Sequence, residues 1–169
     1  MNRPELLLMP NVPKPLHGLA PRTIKGQAWW DEVRQAAYRN ANFKCEACGI
    51  PKEDAHYHKW LEAHEFYEYD YESCTATFLY LVALCHSCHN FIHSGRMKAL
   101  LDKGEMAQYK YDHIINHGEE VLAKAGLIKV QPPTEVVDGA WKKWRLIFDG
   151  KEHRGQFETF DDWNNHYNG

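Results

Sequence analysis

Apolar and polar positions follow several rhythms along the chain, and each rhythm predicts a different element. Trp29, Val33, Ala36 and Ala37 share one face at helical spacing, which predicts a helix over residues 29–41 with Arg34 and Arg39 elsewhere on its surface. From Lys59 to Cys85 the texture is that of strands. Lys59-Trp60-Leu61-Glu62-Ala63-His64 leads into a polar Tyr/Glu/Asp stretch and then into Phe78-Leu79-Tyr80-Leu81-Val82-Ala83-Leu84, so two strands joined by a hairpin-like loop are expected. Residues 86–125 return to a helical pattern. A short piece carrying Leu100 and Leu101 ends near Gly104, and a longer one over residues 105–125 has Ile114, Ile115, Val121 and Leu122 on its apolar side, with Gly126 as its stop.

The two ends read differently. Pro4, Pro10, Pro13, Pro15 and Pro21 exclude a regular helix over residues 1–28, which predicts an extended arm whose Leu6, Leu7, Leu8 and Met9 pack on the domain. Pro132-Pro133 marks a boundary, and residues 134–169 form a small unit. In it Trp144-Arg145-Leu146-Ile147-Phe148 is a strand, Asp149-Gly150 a two-residue turn, and a second strand runs toward Phe157. Thr159 then caps a helix with Asp161 and Asp162 in its first turn. Residues 29–130 between arm and C-terminal unit make the main domain.

Composition narrows the class. At 169 residues, 44% hydrophobic and 25% charged, the chain is an ordinary globular protein, not a disordered, collagenous or coiled-coil one. No apolar run approaches the roughly 18 residues that a membrane span needs. Leu6 to Met9 is too short for a signal-peptide core, so an intracellular, cytoplasmic protein is expected. A net charge of −3 offers no general attraction to a polyanion, so a nucleic-acid site would have to be a local basic patch or a metal.

Chemistry concentrates in residues 43–97, which hold all 5 cysteines. Cys45-Glu46-Ala47-Cys48-Gly49 and Cys85-His86-Ser87-Cys88 are two Cys-x-x-Cys knuckles. Each sets two thiolates on one turn, and a pair completes a tetrahedral set for a structural zinc. In a chain read as cytosolic, metal is a better reading than disulfides. Cys74 lies between the strands without a partner and reads as a free thiol. Directly after the second knuckle comes His89-Asn90-Phe91-Ile92-His93; on a helix, His89 and His93 stand one turn apart on one face, a chelating geometry. His64 and Glu65 end the first strand. Strand, loop, strand and helix bring them toward His89 and His93, where one divalent cation can be held by imidazoles from both elements and can polarise a phosphate.

In this order — Cys-x-x-Cys, Leu61-Glu62-x-His64-x, a hydrophobic strand, then Cys-x-x-Cys-His-x-x-x-His — the chain resembles the zinc-bearing branch of the HNH endonucleases, which are ββα-metal nucleases. The resemblance covers about residues 29–97, a little under half of the chain. It implies an α+β fold: a ββα-metal core stapled by a four-cysteine zinc at Cys45, Cys48, Cys85 and Cys88, flanked by helices, with the small C-terminal ββα unit outside it. It also implies a catalytic metal on His64, His89 and His93, with Glu65 where the general-base histidine of the family stands and Tyr80 in place of its central Asn. Glutamate is the weaker base at pH 7, since its ordinary pKa is about 2 units below that of histidine. A register shifted by one makes His64 the base and leaves Ala63 at the metal position, with Glu62, on the same strand face as His64, as a substitute ligand. His56 and His58 are further candidates.

The function expected from this resemblance is metal-dependent hydrolysis of phosphodiester bonds in nucleic acid, DNA foremost. It would use a structural Zn2+ and a second cation such as Mg2+, Mn2+, Ni2+ or Zn2+. The alternative is a catalytically degenerate HNH-fold zinc protein, a phage or plasmid factor for example, that binds nucleic acid or another protein. Arg96 and Lys98, just after His93, are the candidate phosphate contacts, with Lys44, Lys52 and Lys59 near the zinc knob. Trp141-Lys142-Lys143-Trp144-Arg145 interleaves bases with aromatics, as a nucleic-acid surface does, although two tryptophans packing the C-terminal unit fit the same pattern.

Overall fold

A computed structural model describes residues 1–130 and 140–169. The protein is α+β. Its helices are α1 (Pro21–Lys25), α2 (Gln27–Asn40), α3 (His86–Ile92), α4 (Ser94–Asp102), α5 (Gln108–Lys124) and α6 (Phe160–Asn168), and its strands β1 (Glu62–Asp70), β2 (Thr75–Leu84), β3 (Arg145–Phe148) and β4 (Lys151–Arg154). The strands form one mixed sheet in the order β1-β2-β3-β4. Only Tyr71 to Cys74 join β1 to β2, and so short a link permits only an antiparallel hairpin. Strand β3 runs parallel to β2, with Ala76 opposite Leu146, and β4 returns antiparallel to it. Among the described residues no helix is long and apolar enough to cross a membrane. The boundary read at Pro132-Pro133 lies outside the described residues.

The described residues cluster into two compact units. The first takes 1–11, 34–64 and 81–130, and the second takes 12–33, 65–80 and 140–169. In the first unit the N-terminal segment is not extended throughout. Pro4 opens a 3-10 turn, Pro4–Leu8, because a proline at the first position gives up a donor that the turn does not use. That turn buries Leu6 and Leu7 completely and packs against α3 and α5. Helices α3 and α5 touch where Gly118 meets Phe91. A Cβ on Gly118 would lie 2.1 Å from the Phe91 ring, so glycine is what lets the two backbones approach. Gly118→Ala is expected to cost about 1–3 kcal/mol by overpacking. That is a fall in melting temperature of several degrees, read by thermal unfolding; an unchanged midpoint would mean that Phe91 has room to turn aside.

The second unit is built on Trp144, Leu146 and Phe148, buried with Leu16, Cys74 and Ala76. Trp144 is 1% exposed, so this tryptophan of the Trp-Lys-Lys-Trp-Arg stretch packs the interior. Asp149 and Gly150 both have positive φ, 54° and 71°, the turn that an Asp-Gly pair favours between twisted strands. The Thr159 hydroxyl accepts the Asp162 N–H at 3.1 Å and caps α6 as expected. Two readings shift. The longer helix begins at Gln108 rather than near 105, and the polar Tyr/Glu/Asp stretch is itself part of β1. Its Tyr67 and Tyr69 pack against the core, so what looks like a polar loop is a half-buried strand face.

Candidate metal centres

Each knuckle is a tight turn fastened to β2. In the first, Gly49 takes φ 80° and donates its N–H to Cys45 O at 2.8 Å. Glu46 clamps it to the strand end: its N–H reaches Ala83 O at 2.9 Å and its carboxylate accepts the Ala83 N–H at 2.7 Å. The second knuckle is the last residue before α3 and that helix's first turn, since Cys85 is the cap. The result is that Cys45, Cys48, Cys85 and Cys88 place all four sulfurs within 4.8 Å of one another. Cys48 and Cys85 sulfurs are 3.9 Å apart. A tetrahedral ion with bonds of about 2.3 Å needs about 3.8 Å between sulfurs, so the set can hold a metal such as zinc. The crowded thiols divide. Hydrogen bonds from Cys45, Cys85 and Cys88 hold the Cys48 thiol far below its usual range, while the donors Cys85 and Cys88 are pushed up. A dication removes that conflict by taking four thiolates at once. The fifth cysteine, Cys74, is buried in the core of the second unit, its thiol facing Tyr71 O at 3.7 Å.

A second cluster lies in the same unit. His64 leaves β1 toward α3, where His89 and His93 stand one turn apart. The His93 N–H bonds to His89 O at 3.3 Å, and the helix breaks at His93, which caps both α3 and α4. One nitrogen from each of His64, His89 and His93 falls within 4.8 Å of the others. The ring centroids are nearly equidistant, 5.2 Å, 4.9 Å and 4.9 Å. His64 is 6% exposed and its Nδ1 has no hydrogen-bond partner among the described residues. Burial, then the neighbouring His89 and His93, hold the His64 imidazole well below its ordinary pKa. Burial, then His89, Arg96 and Lys129, bring His93 down to about 4. Both rings are therefore neutral at pH 7, the form that ligates a cation.

Strand alternation sorts the three candidate positions at the start of β1, Glu62, His64 and Glu65. Glu62 and His64 are two apart and share a face; Glu65 follows His64 and leaves on the other one. Glu65 belongs with Tyr67 and Tyr69, whose phenols its charge helps to push up. The structure thus brings His64, His89 and His93 together and does not bring Glu65 to them. The carboxylate that does arrive is Glu62. It accepts a short hydrogen bond from His89 Nδ1, leaving His89 Nε2 for a metal, and stands 2.8 Å from His86 Nδ1 and 2.9 Å from His58 Nε2. Burial pushes the Glu62 carboxyl up, but His86 and His89 outweigh it and hold it well below the carboxylate range.

Residues that the sequence did not single out complete the region. His86 was hidden as a filler position inside the second knuckle, and only its place one turn before Asn90 and opposite Glu62 gives it meaning. Lys129, beyond α5, has no sequence signal at all. Its ammonium is buried without a hydrogen-bond partner among the described residues, lies 5.0 Å over the Phe91 ring, and depresses both His64 and His93; burial lowers its own pKa to about 8. His117 comes within 3.3 Å of the Cys88 sulfur. Of the expected phosphate contacts, Arg96 is exposed beside His93, whereas Lys98 pairs with Asp102. Lys52 lies over the Phe43 ring and Lys59 donates to Ala55 O. His56 stacks on His113, and Tyr80 stacks on Phe66. No family model, no curated protein and no solved structure matches the chain.

Proposed function

We propose that the protein is a metal-dependent endonuclease of the HNH type, hydrolysing phosphodiester bonds in nucleic acid, with DNA as the first substrate to test. One observation carries the reading: a strand-strand-helix unit brings His64 from β1, His89 from α3 and His93 from the cap of α3 within 4.8 Å of one another, with a four-cysteine set formed by the first knuckle and the start of the same helix. A scaffold alone needs only the cysteines. In this reading Cys45, Cys48, Cys85 and Cys88 hold a structural zinc, and the three histidines hold the catalytic cation. A divalent cation there supplies Lewis acidity toward a phosphate oxygen and a more acidic bound water. The chain's own part is to keep His64 and His93 neutral by burial, to fix the His89 ring through Glu62, and to set positive charge from Lys129 and Arg96 where a phosphate would lie.

A second reading is favoured by the position of Glu65. The residue in the family's base position faces away from the histidines, and a zinc-stapled protein that binds nucleic acid or protein without cutting accounts for that. A plasmid-nicking assay with Mg2+, Mn2+, Ni2+ or Zn2+ separates the two. Cleavage by the wild type is expected, with its loss in His89→Ala and His93→Ala while zinc content and circular dichroism stay at wild-type values. Failure of the wild type to cut DNA or RNA with any of these ions would transfer the protein to the binding reading.

A further inference from the structure

We propose that His58, Glu62 and His86 form a second cation site, for a six-coordinate first-row divalent ion such as Mn2+ or Co2+, distinct from the three-histidine set. The proposal does not depend on nuclease activity. Its ground is a triangle of ligand atoms. His58 Nε2 is 2.9 Å from Glu62 Oε1, Glu62 Oε1 is 2.8 Å from His86 Nδ1, and the two nitrogens are 3.0 Å apart. For bonds of about 2.1 Å, adjacent ligands of an octahedral ion lie about 3.0 Å apart and those of a tetrahedral one about 3.4 Å. The triangle matches one octahedral face, made of two imidazoles and one carboxylate. The opposite face remains for water: the three side chains keep 15%, 21% and 17% of their surface.

The proton count points the same way. The Asn90 amide nitrogen donates to His86 O at 2.8 Å, which fixes that end of the amide as NH2. The same nitrogen lies 3.1 Å from His86 Nδ1, where an amide hydrogen meets a lone pair in the tautomer protonated at Nε2. That lone pair and the Glu62 carboxylate oxygen then face each other at 2.8 Å. Two acceptors hold that distance when a positive centre lies between them. A cation supplies it to all three atoms at once. The rival centres are protons: one on His58 Nε2 shared over both neighbours, or one on His86 Nδ1 donated to Glu62. Glu62 links the two metal sets, because its other oxygen takes the His89 Nδ1 hydrogen bond, so occupancy of one set will steady the other.

The full-length protein, its cysteine set carrying one zinc, should be dialysed against Mn2+ and the retained ions counted by mass spectrometry. Two Mn2+ per chain are expected for the wild type, one for His58→Ala and one for His64→Ala, with the single zinc unchanged as the check on folding. His86→Ala should also lose one; because it lies in a knuckle, His58→Ala is the deciding variant. Trp60 gives a second readout. Its ring stacks on His58 at 3.8 Å, so Co2+ should quench a component of tryptophan fluorescence that Trp60→Phe removes. A wild type whose Mn2+ count is unchanged by His58→Ala, with no Trp60-dependent quenching, overturns the proposal in favour of a proton. Loss of one ion in His58→Ala but none in His64→Ala would instead sink the three-histidine site and leave this one standing.

Discussion

Cys85→Ser is expected to leave the protein insoluble or molten, its four-cysteine set unable to hold a metal such as zinc. Cys85 is 3% exposed, caps α3, and its sulfur faces that of Cys48. A structural zinc contributes an apparent 10–16 kcal/mol or so to the folded state, about as much as the whole stability of a domain, roughly 5–15 kcal/mol. The loss reaches past the ion. The same turn sets the start of α3 and hence the positions of His89 and His93, so near-ultraviolet circular dichroism and the three-histidine site should fail together. A well-folded Cys85→Ser protein that carries no zinc would show that the cysteines are ordinary buried thiols.

The second large effect separates the two carboxylates of β1. Glu62→Gln removes the charge that accepts from His89 Nδ1, and loss of such a partner lowers metal affinity or activity by about 10- to 100-fold. Excess cation should restore part of it. Glu65→Gln, on the other strand face, should change cation affinity less than about twofold, since it belongs to neither set of ligands around the histidines. His64→Ala should weaken cation binding as Glu62→Gln does, with partial rescue by excess metal. The opposite pattern, a Glu65→Gln protein that is dead and beyond rescue by metal, would mean that Glu65 activates water by general base catalysis, a contribution of about two to four powers of ten, and that β1 turns over at His64 when substrate binds. Isothermal titration with Mn2+, beside the nicking assay, reads both outcomes.

The four cysteines were legible because thiolate pairs three residues apart depend only on local turn geometry, and two such pairs predict each other. His89 and His93 were legible for a similar reason: four residues on a helix fix their distance whatever surrounds them. The Asp149-Gly150 turn and the Thr159 cap also rest on backbone preferences internal to a few residues. His64 came through the order of motifs around it. What the sequence could not weigh was direction. Glu65 beside His64 looked like a pair, yet successive strand residues point to opposite faces, and the extent of β1 was needed to say so.

Tertiary structure alone decided the rest. Fully extended from His58, the chain would hold His58 and Glu62 about 13 Å apart. In the fold residues 56–60 bend, Tyr57 adopts φ 71°, and His58 returns to within 2.9 Å of Glu62. The pairing of β3 with β2 joins residues seventy positions apart, and no local pattern encodes it. Lys129 reaches the histidines because α5 packs on α3 through Gly118, a contact set by the fit of one ring against one missing Cβ. The sequence by itself determined which residues can ligate and how they are spaced within each turn. Which of them share a centre was decided by packing, because the distance between separate elements depends on what lies between them.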